Sequence, residues 1–171
     1  WAAFSGDTPP ALLCLGAEIE IASASGSRRI PLSDFYTGDG VAYRKLRPDE
    51  LLTRIFLPES SADYHGVYRK LRVRGSIDYP LAGVAVVMKR SNGHIADARL
   101  AMTAVNPAPL LVQGIGELLA GKEMDESLAA SAGDLAAKIA RPLTTSALTP
   151  EYRREMIRVF TKRAVLAAAE N

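Results

Sequence analysis

At 171 residues, with 48% hydrophobic and 23% charged residues, the chain has ordinary globular usage and enough apolar content for one domain or two small ones, which excludes a wholly disordered segment. Its formal net charge of +2, with acids interleaved among the bases, gives no electrostatic footprint for nucleic acid, and no apolar run approaches the length that spans a membrane. A single cysteine, Cys14, can form neither an internal disulfide nor a metal or iron–sulfur site by itself, and fits a reducing compartment.

The chain opens Trp1-Ala2-Ala3-Phe4, without methionine and in what reads as ordered sequence, so we expect the interior of a longer protein. Asp7-Thr8-Pro9-Pro10 is a helix start: Asp7 or Thr8 can cap, and proline suits the first turn. The apolar residues 11–15 follow, and Gly16 stops the helix. Residues 17–22 alternate apolar and polar and predict a strand, 23–27 a turn, and 28–32 a returning strand, together a hairpin. A helical turn at 33–36 runs into a loop. Residues 49–58 read as a strand ended by Pro58.

From Val67 the chain alternates, with Tyr68, Lys70, Arg72 and Arg74 on one face and Val67, Leu71 and Val73 on the other, where Arg69 is the one polar member. Residues 81–88 are nearly all apolar, a strand buried on both faces. Asn92-Gly93 marks a tight turn, and 94–105 returns as a third strand of an antiparallel meander. The period then becomes helical: 110–119 reads as a helix or a pair of turns, 126–139 as an Ala-rich helix capped by Asp125, and Thr149-Pro150 opens a last helix. On that helix Tyr152, Met156, Val159, Phe160 and Val165 form the apolar stripe, with Arg153, Arg154, Lys162 and Arg163 off it. The predicted class is α+β. Residues 1–60 look like the tail of one domain, and 61–171 like a complete unit, a three-stranded antiparallel sheet packed on a helical layer.

Generic catalytic motifs are absent: there is no Walker loop, G-x-G-x-x-G, H-E-x-x-H or G-x-S-x-G. Gly114-Ile115-Gly116 lacks the preceding strand of a dinucleotide fingerprint. His65 and His94 read as surface residues, Glu117, Glu123, Asp125 and Glu126 as a solvated helix face or caps, and Cys14 as a small buried hydrophobe. Two segments stand out. Ser5-Gly6-Asp7 precedes a helix start that presents free N–H groups, although on physical grounds plain capping is the favoured account. The crowded cationic face at 68–74 runs into Gly75-Ser76-Ile77-Asp78-Tyr79-Pro80, a loop anchored at both ends, as a loop held against an anionic or redox ligand would be; a solvated edge strand is the plainer account.

In register, Ser5-Gly6-Asp7 with Pro10-Ala11-Leu12 and Gly16-Ala17-Glu18, then Asp49-Glu50-Leu51-Leu52 ending in Leu57-Pro58, then Tyr68-Arg69-Lys70 with Arg74, Asp78 and Ala82-Gly83-Val84-Ala85, and last Glu151-Tyr152-Arg153-Arg154, resemble the C-terminal portion of the FAD-binding (medium, or β) subunits of the xanthine dehydrogenase/CO dehydrogenase family. Within that family, Gly6-Asp7 with Pro10-Ala11, the Tyr68-x-Lys70-x-Arg72-x-Arg74 strand, Asp78-Tyr79-Pro80-Leu81-Ala82-Gly83-Val84-Ala85 and Asn106-Pro107-Ala108-Pro109-Leu110 are most similar to the 4-hydroxybenzoyl-CoA reductase β subunit. That subgroup carries an insert whose cysteines hold a [4Fe–4S] cluster. The insert would lie upstream of Trp1, its cysteines are absent here, and Cys14 matches no ligand.

The resemblance implies an oxidoreductase subunit with a remnant of an FAD-binding domain over residues 1–60 and a CO dehydrogenase flavoprotein-type C-terminal domain over 61–171. It implies FAD in the full-length subunit, and a molybdenum cofactor and iron–sulfur clusters in partner chains, a molybdenum-binding large subunit and a [2Fe–2S] small subunit. It further implies a cytoplasmic enzyme with no nucleic-acid or membrane partner, acting on an aromatic acyl-CoA. By the same resemblance Asp7 hydrogen-bonds the FAD, Leu52 packs against it and Lys70 lies near the flavin ring, where a cation favours a reduced, anionic flavin. Residues 71–80 flank the flavin face, with Arg74 and Asp78 shaping access. The truncated sequence alone is expected to be inactive and to bind FAD poorly. The rival expectation is a docking domain that assembles the molybdenum and iron–sulfur subunits and has no redox role.

Overall fold

Asn92 and Gly93 both adopt left-handed backbone, with φ of 51° and 82°, the pair that a two-residue type I′ turn requires. They join β5 (Ala82–Ser91) to β6 (His94–Thr103), the centre of the larger sheet in a computed structural model that describes residues 4–144 and 147–170. The opening Trp1, on which the expectation of an upstream chain rests, lies outside the described residues. In order, the remaining strands and α-helices are α1 (Thr8–Cys14), β1 (Glu18–Ser23), β2 (Gly26–Pro31), β3 (Leu51–Phe56), β4 (His65–Leu71), β7 (Leu110–Leu111), α2 (Ile115–Leu119), α3 (Glu126–Ile139) and α4 (Pro150–Ala169), with short 3-10 turns at Leu32–Asp34 and Glu59–Asp63.

The architecture is α+β, with two antiparallel sheets, β2-β1-β3 and β4-β5-β6-β7. The meander acquires a fourth strand where a helix or a pair of turns was expected: Leu110 and Leu111 pair with Met102 and Ala101, and α2 begins only after Gly114, at φ 82°. The helical period of 110–119 therefore starts late, because the first leucines extend the sheet. β4 also stops earlier than its alternation suggests. Leu81 N–H donates to Leu71 O at 2.8 Å and closes a loop over 72–80, so Arg72, Val73 and Arg74 leave the ladder and stand exposed.

Both faces of the β5–β6 hairpin are covered, which explains its unbroken apolar run. Val84, Val86, Met88, Leu100 and Met102 pack with Ala129, Ala132, Ala136, Ile157 and Ala164 of α3 and α4. Ala85, Val87 and Ala101 on the opposite face share a second core with Leu13, Cys14, Ile19, Ile21, Leu32 and Phe35. Each large aliphatic side chain so buried contributes about 1.5–3 kcal/mol.

α3 starts where Asp125 accepts Leu128 N–H at 2.6 Å, and α4 where Thr149 accepts Tyr152 N–H at 3.2 Å. The two helices approach closely at Gly133, where a Cβ would lie 2.7 Å from Arg158 O. The buried line of α4 is Arg153, Ile157, Thr161, Ala164, Val165 and Ala168, which corrects the predicted stripe; Tyr152 is 46% exposed. Hydropathy misplaced the stripe because an arginine and a threonine stand on the inward face.

In the smaller sheet β1 is central and β3 an edge, with Leu51 72% and Ile55 49% exposed. Glu50 fastens the long loop before β3: its buried carboxylate accepts Arg28 Nε at 3.1 Å and Arg47 N–H at 2.8 Å, and these bonds hold its pKa down to about 2.

Candidate functional site

Asp7 occupies the N-cap position of α1, but its side chain makes no capping bond. It turns instead across to β4. Oδ1 accepts the Tyr68 hydroxyl at 2.8 Å and Oδ2 accepts Lys70 Nζ at 2.8 Å. Tyr68 and Lys70 are two residues apart on one strand and so project from the same face. Lys70 Nζ also donates to Asp78 O at 3.0 Å, which draws the loop over 72–80 onto the pair. The Lys70 side chain is 21% exposed and that of Asp7 45%, so the pair sits at a surface rim with both charges within reach of a ligand.

The loop is organised by Asp78. Its Oδ2 accepts the N–H groups of Val73 and Arg74 at 3.0 and 2.9 Å, and Arg74 Nη2 approaches Oδ1 at 3.4 Å. The Arg74 N–H is the main cause that holds the Asp78 carboxyl below the usual carboxylate range. The loop presents Val73, Ile77 and Tyr79 to solvent, and Ile77 has φ 46°, an uncommon backbone state for a branched residue, costing on the order of 1–3 kcal/mol. Tyr68, unlike those three loop side chains, is half-buried. Burial first, and the Asp7 carboxylate second, push its phenol above the ordinary range, so it stays a protonated donor to Asp7.

Space for the Tyr68 ring depends on Gly83 of β5, whose missing Cβ would fall 2.8 Å from the hydroxyl. The segment that carries Asp7 is itself tied to the sheet end: Gly6 N–H reaches Thr103 Oγ1 at 3.4 Å, and Ser5 Oγ donates to Pro80 O at 2.9 Å. Behind Tyr68 an apolar cleft of about 450 Å³ separates α1 from β4, with Ala11, Leu15, Leu57 and Val67 on its walls.

Of the five residues singled out from the sequence, the structure brings four together: Asp7, Lys70, Arg74 and Asp78. Leu52 stands in the other sheet, paired with Ile21 and 39% exposed, and none of the hydrogen bonds or ion pairs that join the other four involves it among the described residues. No individual role was expected from sequence for Tyr68, Gly83, Thr103 or Ser5, although Ser5 and Tyr68 lie in the two segments set apart there. Tyr68 had a signal, its i, i+2 relation to Lys70. Gly83 and Thr103 had none, since their roles come from long-range packing.

Comparison with known families gives two matches. The CO dehydrogenase flavoprotein C-terminal domain family matches residues 66–168, and the FAD binding domain in molybdopterin dehydrogenase matches residues 1–60. The chain is 33% identical to the carbon monoxide dehydrogenase medium chain of Afipia carboxidovorans over 93% of its own length and 54% of that protein. It is 32% identical to the glyceraldehyde dehydrogenase medium chain of Sulfolobus acidocaldarius over 94% of its length and 56% of that protein. Among solved structures, CO dehydrogenase from Oligotropha carboxidovorans superposes with a TM-score of 0.85 at 33% identity, covering 96% of this chain and 56% of that one. Quinoline 2-oxidoreductase from Pseudomonas putida 86 gives 0.85 at 28% identity, with the same coverage. The chain thus spans little more than half the length of the relatives it matches.

Proposed function

The chain belongs to the CO dehydrogenase flavoprotein C-terminal domain family, and from that premise we propose that it is the C-terminal part of the FAD-carrying electron-transfer subunit of a molybdenum-containing oxidoreductase. The observation that carries the reading is the Asp7–Lys70 pair, formed across 63 residues of sequence at a surface rim and braced by Tyr68 and Asp78. The matches at 1–60 and 66–168 support a division near residue 60, between a remnant of the FAD-binding domain and the C-terminal domain.

The residues present fit part of an FAD site. The Lys70 ammonium has three donors, of which Asp7 and Asp78 occupy two, and the Asp7 carboxylate has lone pairs beyond those that Tyr68 and Lys70 use. FAD, when bound, supplies electron carriage between the partner chains and an acceptor. Lys70 would donate to an electron-rich edge and add positive charge beside it. Asp7 would accept from a hydroxyl or N–H, while Tyr68 holds its carboxylate in orientation. Arg74 and Asp78 would set the shape of the loop at the rim. Leu52, exposed on β3 of the other sheet, would supply the apolar contact that the resemblance gives it.

The complete assembly on this reading is a cytoplasmic complex with a molybdenum-binding large subunit and a [2Fe–2S] small subunit. The finer reading is an aromatic acyl-CoA substrate of the 4-hydroxybenzoyl-CoA reductase kind, supported by the run Asp78-Tyr79-Pro80-Leu81-Ala82-Gly83 and by Asn106-Pro107-Ala108-Pro109. Turnover of 4-hydroxybenzoyl-CoA by the complete complex tests it, and no turnover from an assembled, metal-replete complex removes it.

Lys70→Met in the full-length subunit tests the flavin reading. Loss of one charge-assisted hydrogen bond of about 1.5–3 kcal/mol predicts FAD affinity weaker by roughly 10–100-fold with assembly intact. Normal FAD affinity with failed assembly would favour the rival docking-domain reading.

A further inference from the structure

We propose that Arg153, on the inward face of α4, is a positioning residue that clamps from behind the two backbone segments carrying Asp7 and Lys70. The inference rests on the reading of those two residues as cofactor-facing.

Arg153 is 2% exposed. Its Nε donates to Leu81 O at 2.7 Å, its Nη1 to Leu143 O at 2.9 Å and its Nη2 to Ala104 O. Leu81 is the base of the loop over 72–80: its N–H bonds to Leu71 O at 2.8 Å, one residue beyond Lys70, and the same loop supplies Asp78 O to Lys70 Nζ. Ala104 is the anchor of the other arm. Its N–H donates to Phe4 O at 2.9 Å, and Phe4 N–H donates to Asn106 O at 3.2 Å, so the segment leading into Asp7 hangs from the residues just past β6. Ala104 holds φ 67°, a left-handed state that costs an alanine on the order of 1 kcal/mol and persists where surrounding bonds fix it.

The chemistry suits arginine in particular. A guanidinium offers five N–H donors in a rigid planar fork, and can hold carbonyls from separate segments at once; an ammonium is a single point on a flexible stem. A hydrocarbon of the same size would fill the space without the cost of desolvating a cation, so packing alone gives no reason for a charge there. What the charge adds is direction: Leu81 O and Ala104 O are drawn toward one centre, and Lys70 and Asp7 project from the far side of the backbone so fixed.

The test uses Arg153→Met and Arg153→Lys in the full-length subunit within its complex, beside Lys70→Met. The readouts are FAD affinity, the flavin reduction potential and amide hydrogen exchange. Arg153→Met is expected to raise the FAD Kd about tenfold and to move the potential in the same direction as Lys70→Met, with Arg153→Lys between it and the unmodified protein. Exchange is expected to rise at the Leu81 and Ala104 amides and to stay unchanged at Val86 and Leu100. Unchanged affinity, potential and exchange overturn the proposal, and so does exchange that rises evenly over β5 and β6, the signature of general loosening. If Lys70→Met itself leaves affinity and potential unaltered, the cofactor reading falls, and local exchange at Leu81 and Ala104 alone decides whether Arg153 clamps the two arms. If neither Arg153 variant folds, exchange in the unmodified protein decides: the clamp requires both amides to exchange as slowly as the sheet core, and exchange at the rate of the exposed loop overturns it.

Discussion

Gly83→Ala places a methyl group where β5 passes beneath Tyr68. The new Cβ would lie 2.8 Å from Tyr68 Oη and 2.8 Å from Thr103 Cγ2. Carbon atoms rest at about 3.5–4.0 Å, so the buried Thr103 methyl must retreat by roughly 0.7 Å or more. Neither neighbour is free to move. Thr103 is fully buried and its Oγ1 holds Gly6 N–H, and the Tyr68 hydroxyl is bonded to Asp7. Overpacking of this kind costs about 1–3 kcal/mol, loosening the Tyr68–Asp7 bond at its half-exposed rim adds about 0.5–1 kcal/mol, and replacing a strand glycine returns about 0.5–1 kcal/mol. The balance is a loss of about 2 kcal/mol, which for a chain of 171 residues lowers Tm by about 4–8 °C in a thermal melt. Displacement of Tyr68 from Asp7 also removes one cause of its raised phenol pKa, so an absorbance titration should show one tyrosine ionising at lower pH than in the unmodified chain. A melt within about 1 °C of the unmodified chain, with the tyrosine titration unmoved, would show that the ring has room the packing denies it.

Glu50→Gln tests the loop anchor. The carboxyl is held at about 2 in the folded chain against an ordinary 4.5, so its stabilisation is complete above pH 4.5 and is lost as pH falls toward 2. The Tm gap between unmodified chain and variant should therefore be wide at neutral pH, narrow as pH falls below 4.5 and close at about pH 2; a gap constant from pH 7 to 2 contradicts the assignment. Cys14, wholly buried with its Sγ donating to Ala85 O at 3.4 Å and its thiol pushed up to about 12 by burial, should resist thiol reagents at pH 8 and react at once in denaturant. Gly133→Ala should cost about 1–2 kcal/mol despite the better helix propensity of alanine, since its Cβ meets backbone, Arg158 O at 2.7 Å; a stability gain in denaturant unfolding would refute the close contact of α3 and α4.

Local chemistry made much of the fold readable. Asp125 and Thr149-Pro150 placed the starts of α3 and α4, Asn92-Gly93 placed the central hairpin, and the run over 81–88 announced a strand covered twice. The errors arose where a distant partner overrode a local pattern. Arg153 counts as polar on any scale, yet three carbonyls from other segments draw it inward. Asp7 has the side chain of a cap and gives it to Tyr68 and Lys70 instead. Arg72 and Arg74 continue an alternation that Leu81 terminates from ten residues away. The two segments that carry Asp7 and Lys70 stood out in the sequence, but their pairing did not: no spacing rule joins Asp7 to Lys70, and the geometry that joins them leaves Leu52 in a different sheet.

The position of β3 bears on how the protein can be handled. Its outer row of amides and carbonyls has no neighbouring strand among the described residues, and Leu51 and Ile55 stand bare along it. Such a margin zips onto its own kind, so this stretch of polypeptide, prepared by itself, will self-associate as it is concentrated, and a lysine introduced at Leu51 or Ile55 will keep it monodisperse in sedimentation.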